Sequence, residues 1–475
     1  MIEKPEDILD RETDWKKLVE FVRSDSAELI FMYGRRRVGK SWMLQRFARQ
    51  AGAIYYQATR GTAAQQIREL TDVVGEHFDD AALKSGAELS DWRGFFRYLG
   101  AQSERDPTML IIDEFPYLLE DSPELTSVLQ AEWDQRWKES GFKLLLCGSH
   151  ITMMKQLEEH DQPLHGRRTA RLKVSPFIYR DLNSILPEYD SLDLFRSYGI
   201  FGGIPGHLNR LDESHSLSEN VSETMLEPSR RLYDEARHIL DGFGKSAEVH
   251  YSVLFSIATG AHTWGELTDR VDRSAGGLRP VIAWLEDLEL IEREVPVTKD
   301  QPHKAKTSNY RITDPYLRFW YRFIQPIYAS GSAGMATAEA LWSKRIQPHL
   351  DDYMGPMFED ICRDFVRHLL KLPFEPVRVG RWWTRSSDEE VDVVVRGVED
   401  ELFVAECKWG TVDGGDLQKL KRRARLIEQK IGDSPEIHYG LFSARGSKTA
   451  GVDEAVGSGD VVFFEGEDMF ETRKI

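Results

Sequence analysis

The sequence has few cysteines, no long apolar run and no excess of positive charge. Only three cysteines, Cys147, Cys362 and Cys407, occur in 475 residues. Three widely spaced thiols neither build a disulfide framework nor supply a four-cysteine zinc site. No segment reaches the roughly 18 consecutive apolar residues that a membrane-spanning helix needs, and residues 1–12 lack the apolar core of a secretory signal. We therefore expect a cytoplasmic protein without a membrane partner.

The formal net charge of −17 disfavours a protein that coats nucleic acid over its whole surface. Neutralising phosphates supplies most of the affinity in such coating, and it requires a basic excess. Contacts with DNA or RNA must therefore come from local basic segments. The length of 475 residues exceeds what one core usually holds and predicts two to four domains.

A phosphate-binding loop is predicted near the N-terminus. Residues 28–33 have the pattern of a short buried strand, and residues 42–50 continue as an amphipathic helix. Between them the pattern GxxxxGK[S/T] is complete in Gly34, Arg35, Arg36, Arg37, Val38, Gly39, Lys40 and Ser41. In such a loop backbone amides surround the β-phosphate, the lysine reaches the β- and γ-phosphates, and the hydroxyl holds Mg²⁺. We expect ATP and Mg²⁺ to bind here, the alternative being a solvated turn rich in glycine and arginine.

Two further segments predict the acids and the sensor of an ATPase. Residues 107–112 are an apolar run that ends in Asp113 and Glu114. This predicts a strand whose Asp113 holds Mg²⁺ through water and whose Glu114 polarises the attacking water as general base. Residues 143–148 predict a neighbouring strand, with Ser149 at its end as the candidate sensor of the γ-phosphate. Two acids at the end of a strand also occur without function.

Strands that alternate with helical stretches predict a parallel sheet covered by helices. Residues 54–56 and 171–174 are the remaining candidate strands. Arg167 and Arg168 precede the last of them. One of these arginines is a candidate contact of the γ-phosphate, either in cis or from a neighbouring subunit of a homo-oligomer. A plain solvated arginine is the alternative.

These segments resemble the archaeal and bacterial DEXX-box ATPases, which are relatives of the AAA+ and STAND signalling ATPases. The resemblance rests on the GRRRVGKS loop, the IIDEFPYL strand end and the LLLCGSHITMM segment. Residues 8–12 are similar to the family's segment that touches adenine, with Asp10 in place of a glycine, and this implies a nucleotide contact for Arg11. Residues 201–205 are similar to the family's GxP motif, which implies that Pro205 packs near the nucleotide from a helical lid.

A winged helix is predicted after the lid. Three amphipathic helical segments are followed by two short strands at 291–295 and 309–312. The third helix offers Arg273 and Arg279 near its start, where a recognition helix would contact DNA. Acids follow later in the same helix, so a structural or protein-contacting winged helix is the other interpretation.

The C-terminal part carries the pattern of a metal-dependent phosphodiesterase. A helix with Glu359 precedes a strand with Asp392 and a second strand in which Glu406 and Lys408 share one face. Carboxylates hold Mg²⁺, and a lysine beside the ion positions or deprotonates the attacking water. We expect the three carboxylates to be ligands and Asp392, Glu406 and Lys408 to be catalytic. The pattern resembles the PD-(D/E)xK nuclease core, with Val391 where that motif has proline.

A basic helix follows this pattern. Residues 416–430 carry Lys419, Lys421, Arg422, Arg423, Arg425 and Lys430. In the nuclease core that the sequence resembles, the corresponding helix lies beside the substrate groove, where a basic face attracts phosphate. A solvated charged helix is the alternative.

The sequence thus predicts an α/β multidomain protein. Its expected parts are a P-loop ATPase core of the ASCE subclass in residues 1–175, a helical lid in 176–245, a winged helix in 246–330 and a restriction-endonuclease-like α/β domain in 335–475. We expect ATP hydrolysis coupled to a nuclease-like domain that acts on DNA or RNA. The alternative is a nucleotide-switched DNA-binding or signalling regulator whose C-terminal domain is inactive.

Overall fold

The computed structural model describes residues 2–240, 247–299, 301–305, 307–386, 388–399, 401–431 and 436–474. The chain forms two compact units. The first comprises Met1–Pro176 with Ile204–Gly206, and the second comprises Phe177–Gly203 with His207–Ile475. Within the described ranges, no helix is long and apolar enough to cross a membrane. Apart from Pro176 and Ile204–Gly206, the predicted lid, winged helix and C-terminal sheet therefore fall in the second unit, and their division into three domains stays a prediction.

The first unit is built on a five-stranded parallel sheet in the order β2-β3-β4-β1-β5. Its strands are β1 (Glu28–Tyr33), β2 (Ile54–Gln57), β3 (Met109–Asp113), β4 (Lys143–Gly148) and β5 (Ala170–Lys173). Its helices are α1 (Glu12–Arg23), α2 (Lys40–Ala51), α3 (Ala63–His77), α4 (Ala81–Lys84), α5 (Trp92–Ser103), α6 (Pro116–Asp121), α7 (Leu125–Gln135) and α8 (Ile151–Gln156). The predicted parallel sheet is confirmed.

The central strands of this sheet are buried on both faces, which explains their continuous apolar sequences. Side chains alternate between two cores. Leu29 and Phe31 of β1 pack into one hydrophobic cluster, and Ile30 and Met32 pack into the other. Because β4 is hydrogen-bonded to both β1 and β3, three strand ends meet at the same edge of the sheet.

The second unit begins with helices and a hairpin. The helices are α9 (Ser191–Phe201), α10 (Pro205–Leu208), which starts in the first unit, α11 (Leu217–Val221), α12 (Arg231–His238), α13 (Ala247–Ala258), α14 (Trp264–Val271) and α15 (Ala275–Asp287). The antiparallel hairpin consists of β6 (Ile291–Glu294) and β7 (Asn309–Ile312). Three helices followed by a two-stranded hairpin are the elements predicted for a winged helix.

The remainder of the second unit is helical and then forms a mixed sheet. The helices are α16 (Pro315–Phe319), α17 (Gln325–Ala329), α18 (Ala338–Leu341), α19 (Leu350–His368), α20 (Gly414–Ile431) and α21 (Ala450–Gly457). The strands are β8 (Leu370–Lys371), β9 (Pro376–Trp383), β10 (Glu390–Gly397), β11 (Leu402–Lys408), β12 (Ile437–Ser443), β13 (Val462–Glu465) and β14 (Arg473–Lys474). The main sheet has the order β13-β12-β11-β10-β9, and β8 pairs with β14.

The main sheet of the second unit lies between two helices. Strands β9, β10 and β11 are antiparallel, whereas β11, β12 and β13 are parallel. Phe365 of α19 packs into one cluster with Val393 and Phe403. Leu420 of α20 packs into another with Val404. The predicted helix, two strands and basic helix correspond to α19, β10, β11 and α20, whereas β9 and β12 were not predicted.

The segment that follows β6 lies along β9. The backbone N–H of Val297 donates to the carbonyl of Arg381 at 2.9 Å, and the Val297 side chain is 2% exposed. Arg378 Nη1 donates to the carbonyls of Val297 and Lys299 at 3.3 and 2.5 Å. This part of the predicted wing therefore protects an edge strand of the sheet, which favours the structural interpretation of the winged helix.

A buried ion-pair network fastens the hairpin to α19. Asp360 Oδ2 lies 2.6 Å from an Arg311 nitrogen and 2.9 Å from an Arg318 nitrogen, and the other carboxylate oxygen contacts Arg363. Burial would raise the pKa of Asp360, but these guanidinium groups hold that pKa well below its usual range. The carboxylate thus stays ionised within the fold.

Asp360→Asn is expected to lower the free energy of unfolding by about 3–5 kcal/mol at neutral pH, because the buried guanidinium groups lose their counter-ion. Urea denaturation followed by tryptophan fluorescence measures this. The pKa of Asp360 is lower in the folded chain than the unfolded value of about 3.9. Its stabilisation is therefore fully present above that value and disappears as the pH falls further.

The matched control is Asp364→Asn, one helical turn further along α19. Burial raises the pKa of Asp364, so loss of its charge should change stability by less than about 1 kcal/mol. Equal stability of Asp360→Asn and wild type at neutral pH would contradict the role of this network.

Candidate functional site

The predicted phosphate-binding loop connects β1 to α2. Gly34 has no room for a side chain, since a Cβ there would lie 2.2 Å from the carbonyl oxygen of Val174. Gly39 has a φ of 95° and Arg37 a φ of 69°, in the left-handed region that favours glycine. The chain thereby turns sharply into the N-terminus of α2, where free backbone N–H groups and the helix dipole favour a phosphate.

Lys40 is folded back into the loop. Its Nζ donates to the carbonyls of Gly34 at 2.8 Å and Arg35 at 3.0 Å, and the residue is only 4% exposed. Phosphate oxygens are better acceptors for an ammonium group than neutral carbonyls are. The lysine is therefore placed to exchange these carbonyls for a bound phosphate.

Arg11 supports the loop from the preceding segment. Its Nη2 donates to the carbonyl of Val38 at 3.2 Å and to that of Ser175 at 2.8 Å. The side chain therefore fixes backbone of the phosphate loop, and the adenine contact implied by the resemblance stays a prediction.

The GxP segment also adjoins the loop. Ile204–Gly206 belongs to the first unit. The N–H of Gly206 donates to the carbonyl of Arg37 at 3.3 Å, and a Cβ on Gly206 would lie 2.7 Å from the Cβ of Arg37. Pro205 is thus one residue from a direct contact with the loop, and its packing near a nucleotide stays a prediction.

The two acids at the end of β3 have different surroundings. Asp113 is fully buried, and its Oδ1 accepts the backbone N–H of Glu114 at 3.0 Å. Glu114 has a φ of 53°, which is uncommon for a residue with a side chain and costs energy. Its Oε2 accepts the hydroxyl of Ser149 at 2.9 Å. The structure thus brings the candidate general base and the candidate sensor into direct contact.

Tyr55 of β2 was missed by sequence reasoning. Its hydroxyl donates to Asp113 Oδ2 at 2.8 Å and accepts from Gln45 Nε2 of α2 at 3.3 Å. Burial, together with the Asp113 carboxylate, raises the pKa of Tyr55, so the hydroxyl keeps its proton and donates it. The sequence indicates only that Tyr55 lies on a strand. The contact between Tyr55 and Asp113 cannot be predicted from their spacing along the chain.

Arg167 and Arg168 are both engaged in ion pairs. Arg167 Nε and Nη2 bind the two carboxylate oxygens of Asp134 at 2.9 and 2.7 Å, and Arg168 lies 2.5 Å from Glu158. These pairings favour the alternative of a surface arginine. A contact of Arg167 with the γ-phosphate would require the Asp134 pair to break, and it stays a prediction.

In the second unit, Glu406 and Lys408 share one face of β11, as predicted. Lys408 Nζ donates to Glu406 Oε1 at 3.0 Å and lies 3.6 Å from Asp416. Arg423 Nη1 of α20 donates to Glu406 Oε2 at 3.2 Å. Each oxygen of Glu406 is therefore paired with a cation.

Asp392 and Glu359 complete the carboxylate group. Asp392 Oδ2 accepts the backbone N–H of Cys407 at 2.9 Å. Burial raises its pKa well above the usual range, and the carboxylates of Glu359 and Glu406 raise it further. Burial also raises the pKa of Glu359, although Arg381, at 3.4 Å, opposes this. The charges of Glu359 and Glu406 thus add to burial in disfavouring the ionised form of Asp392.

The oxygen donors of this group suit Mg²⁺ in their chemistry. However, among the residues that the structure describes, no group of three or more His, Cys, Asp or Glu side chains is arranged to hold a metal ion. Binding of a metal by these residues stays a prediction.

The predicted basic face of α20 is partly neutralised. Arg422 and Arg423 both pair with Glu389, at 2.5 and 2.9 Å. Lys419 and Arg425 are exposed. Fewer charges of this helix are therefore available to phosphate than the sequence suggests.

The loop, the buried strand ends and the parallel sheet define the first unit as a Walker-type nucleotide-binding fold. Residues 8–211 match the model of a family described as an ATPase domain predominantly from Archaea. Residues 320–420 match a family of archaeal and bacterial proteins of unknown function.

The chain is also similar to a relative over nearly its whole length and to two solved structures over about two thirds of it. An uncharacterised protein of Methanocaldococcus jannaschii is 29% identical over 468 residues, which cover 97% of this chain and 99% of the relative. The Walker-type ATPase of Pyrococcus abyssi has a similar fold, with a TM-score of 0.50 and 21% identity over 67% of this chain and 97% of that chain. The ORC2 protein of Aeropyrum pernix, solved in ADPNP–ADP complexes, gives a TM-score of 0.44 with 14% identity over 70% of this chain and 97% of that chain.

Tyr55→Phe is expected to lower the rate of ATP turnover roughly tenfold, because a hydrogen bond to a buried carboxylate is worth about 1.5–3 kcal/mol. The affinity for ATP should change less than about threefold, since the hydroxyl contacts Asp113 and not the loop. Steady-state phosphate release and nucleotide titration measure the two quantities.

Tyr56→Phe is the matched control. The hydroxyl of Tyr56 donates to Glu69 at 2.9 Å, away from Asp113, so its removal should leave turnover unchanged. If both variants lose turnover equally, Tyr55 does not position Asp113.

Proposed function

We propose that this chain binds and hydrolyses ATP in its first unit. The observation that carries this function is the meeting of three groups at one sheet edge: the loop with Lys40, the acids Asp113 and Glu114, and Ser149. The match of residues 8–211 to an ATPase domain supports ATP hydrolysis.

The residues of the chain have distinct tasks in this reaction. Lys40 leaves the loop carbonyls for the β- and γ-phosphate oxygens, while backbone N–H groups of Gly34–Ser41 surround the β-phosphate. Ser41 and Asp113 would hold Mg²⁺, which neutralises charge on the phosphates when it is bound. Glu114 accepts the proton of the attacking water. Ser149 fixes the orientation of Glu114 before the nucleotide arrives.

Glu114→Gln is expected to retain ATP binding and to lower turnover by at least about 100-fold, because an amide cannot accept the proton of the water. Phosphate release and titration with a fluorescent ATP analogue measure the two effects. Glu120→Gln, an exposed position on α6, is the control and should behave as wild type. Turnover at the wild-type rate in Glu114→Gln would remove Glu114 as the general base.

A second function is favoured by the C-terminal sheet. The order α19, β9, β10, β11, α20, β12 places Asp392 near the start of β10 and Glu406 and Lys408 at the end of β11. The helix, the hairpin that carries Asp392, Glu406 and Lys408, and the following helix are similar in order to the PD-(D/E)xK core that the sequence resembles, which supports this proposal. We infer metal-dependent cleavage of nucleic acid here, with Lys408 positioning the attacking water beside Glu406. The alternative is a nucleotide-switched regulator in which this sheet is inactive.

Asp392→Ala is expected to abolish cleavage of single-stranded and duplex DNA or RNA in the presence of Mg²⁺ or Mn²⁺, because it removes a buried ligand from the group. Gel assays with and without ATP measure this, and Asp388→Ala, an exposed position, is the control. Equal cleavage by both variants would exclude the assigned site. Absence of cleavage by wild type under every condition would favour the regulator.

A further inference from the structure

A cavity of about 450 Å³ adjoins the carboxylate group of the second unit. Four parts of this unit line it: the end of α13, the β6–β7 hairpin, the segment around α16, and α19 with β9 and β10. Its volume falls within the range of about 300–1,000 Å³ that is usual for small-ligand sites. A nucleic-acid duplex is far larger than a small ligand and cannot enter such a space.

One wall of the cavity is charged and incompletely hydrogen-bonded. Glu359 and Arg381 both line it, and among the described residues Glu359 Oε2 and Arg381 Nε are buried without a hydrogen-bond partner. Buried polar atoms normally have partners, and exceptions point to a missing ligand or a functional role. Arg322, another lining residue, is exposed. Glu359 Oε2 nevertheless forms an ion pair with an Arg381 nitrogen at 3.4 Å, and Glu294, Asp352 and Glu390 also line the cavity. The cavity therefore offers carboxylate acceptors and the buried Arg381 Nε–H donor, and Arg322 adds a cation on an exposed side chain.

The lining also includes apolar groups, namely the flat ring of Tyr353 and the side chains of Ala258 and Pro356. The Tyr353 hydroxyl donates to the carbonyl of Gly199 at 2.7 Å, which fixes the ring in place. Flat, rigid apolar surfaces are suited to a planar base, whereas a guanidinium group is suited to phosphate. The charged and apolar groups together match a nucleotide better than a purely apolar ligand or a simple anion.

The cavity also reaches the candidate catalytic region. Glu359 belongs to the cavity wall. Arg363 Nη1 donates to the carbonyl of Asp392 at 2.7 Å and lies 3.9 Å from Glu359 Oε2, so Glu359 lies close to Asp392. A nucleotide held here would have its backbone beside the carboxylates. We propose that this cavity binds one unpaired nucleotide of a nucleic-acid strand, so that the second unit recognises single strands, ends or flaps in preference to intact duplex. Action on the bound strand rests on the second proposed function, but binding itself does not.

The test fills the cavity without changing a charge. Ala258→Trp introduces a large ring into the wall, and Ser252→Trp, an exposed position on the same helix, is the matched control. Both are made in the full chain carrying Asp392→Ala, so that no strand is cut. The probes are labelled oligo-dT and oligo-U of about 12 nucleotides, within the usual range of single-strand sites, and a duplex of equal length. Fluorescence anisotropy measures binding.

We expect a single strand to bind at least about tenfold more tightly than duplex, and Ala258→Trp to weaken this binding about tenfold while Ser252→Trp does not. Comparison of oligo-dT with oligo-U shows which sugar is preferred. Equal binding of duplex and single strand, or unchanged binding in Ala258→Trp, would overturn the assignment. Thermal unfolding and ATP turnover of each variant verify that the chain is folded.

Cleavage is also measured for wild type and for Ala258→Trp in chains that keep Asp392. This measurement distinguishes failure of the nucleotide site from failure of the proposed nuclease. If wild type cuts nothing but Ala258→Trp still weakens single-strand binding, the nucleotide site stands and the nuclease assignment fails. If Ala258→Trp cuts single strands as wild type does, the nuclease assignment stands and the nucleotide site fails.

Discussion

The nucleotide site depends on the parallel alignment of β1, β4 and β3. The phosphate loop follows β1, Ser149 follows β4, and Asp113 and Glu114 lie at the end of β3. The predicted nucleotide-binding and catalytic groups therefore lie at one edge of the sheet. The pairing of Ile112 with Leu146 and of Met32 with Cys147 sets the height of each strand end. A slip of one residue would turn each side chain to the opposite face of the sheet. Such a slip would also move Asp113 and Ser149 out of level with the phosphate loop, so the site depends on this register.

In the second unit, ion pairs fix the positions of the buried carboxylates. Asp360, Glu359 and Glu406 are each paired with guanidinium or ammonium groups. Buried pairs add little net stability, but loss of one partner is costly, so they fix a single arrangement. The same pairing has a chemical consequence, because Arg381 and Lys408 hold carboxylates that a divalent cation would need. Glu294 of the hairpin also lies 4.0 Å from Arg381, which links the hairpin to this region.

Local patterns predicted most of the secondary structure because their causes are local. The apolar runs predicted the observed bounds of β1 and β4. The spacing of the glycines and the lysine predicted the phosphate-binding loop. Contacts between distant residues were not predictable. Tyr55 and Asp113 are 58 positions apart, and neither the ion pair of Arg167 with Asp134 nor the docking of Val297 on β9 has a sequence pattern. The counter-charges on Glu359 and Glu406 were missed for the same reason, since they depend on the folded arrangement of separate elements.

ATP hydrolysis at the loop is the central claim, and Lys40 tests it most directly, because every proposed step requires its ammonium group at the phosphates. The measurement is phosphate release by purified wild type and Lys40→Ala over a range of ATP concentrations, with thermal unfolding of both. We predict saturable turnover by wild type and a loss of at least about 100-fold in the variant, with a similar unfolding midpoint. Undiminished turnover in a folded Lys40→Ala chain would contradict the assignment of the site.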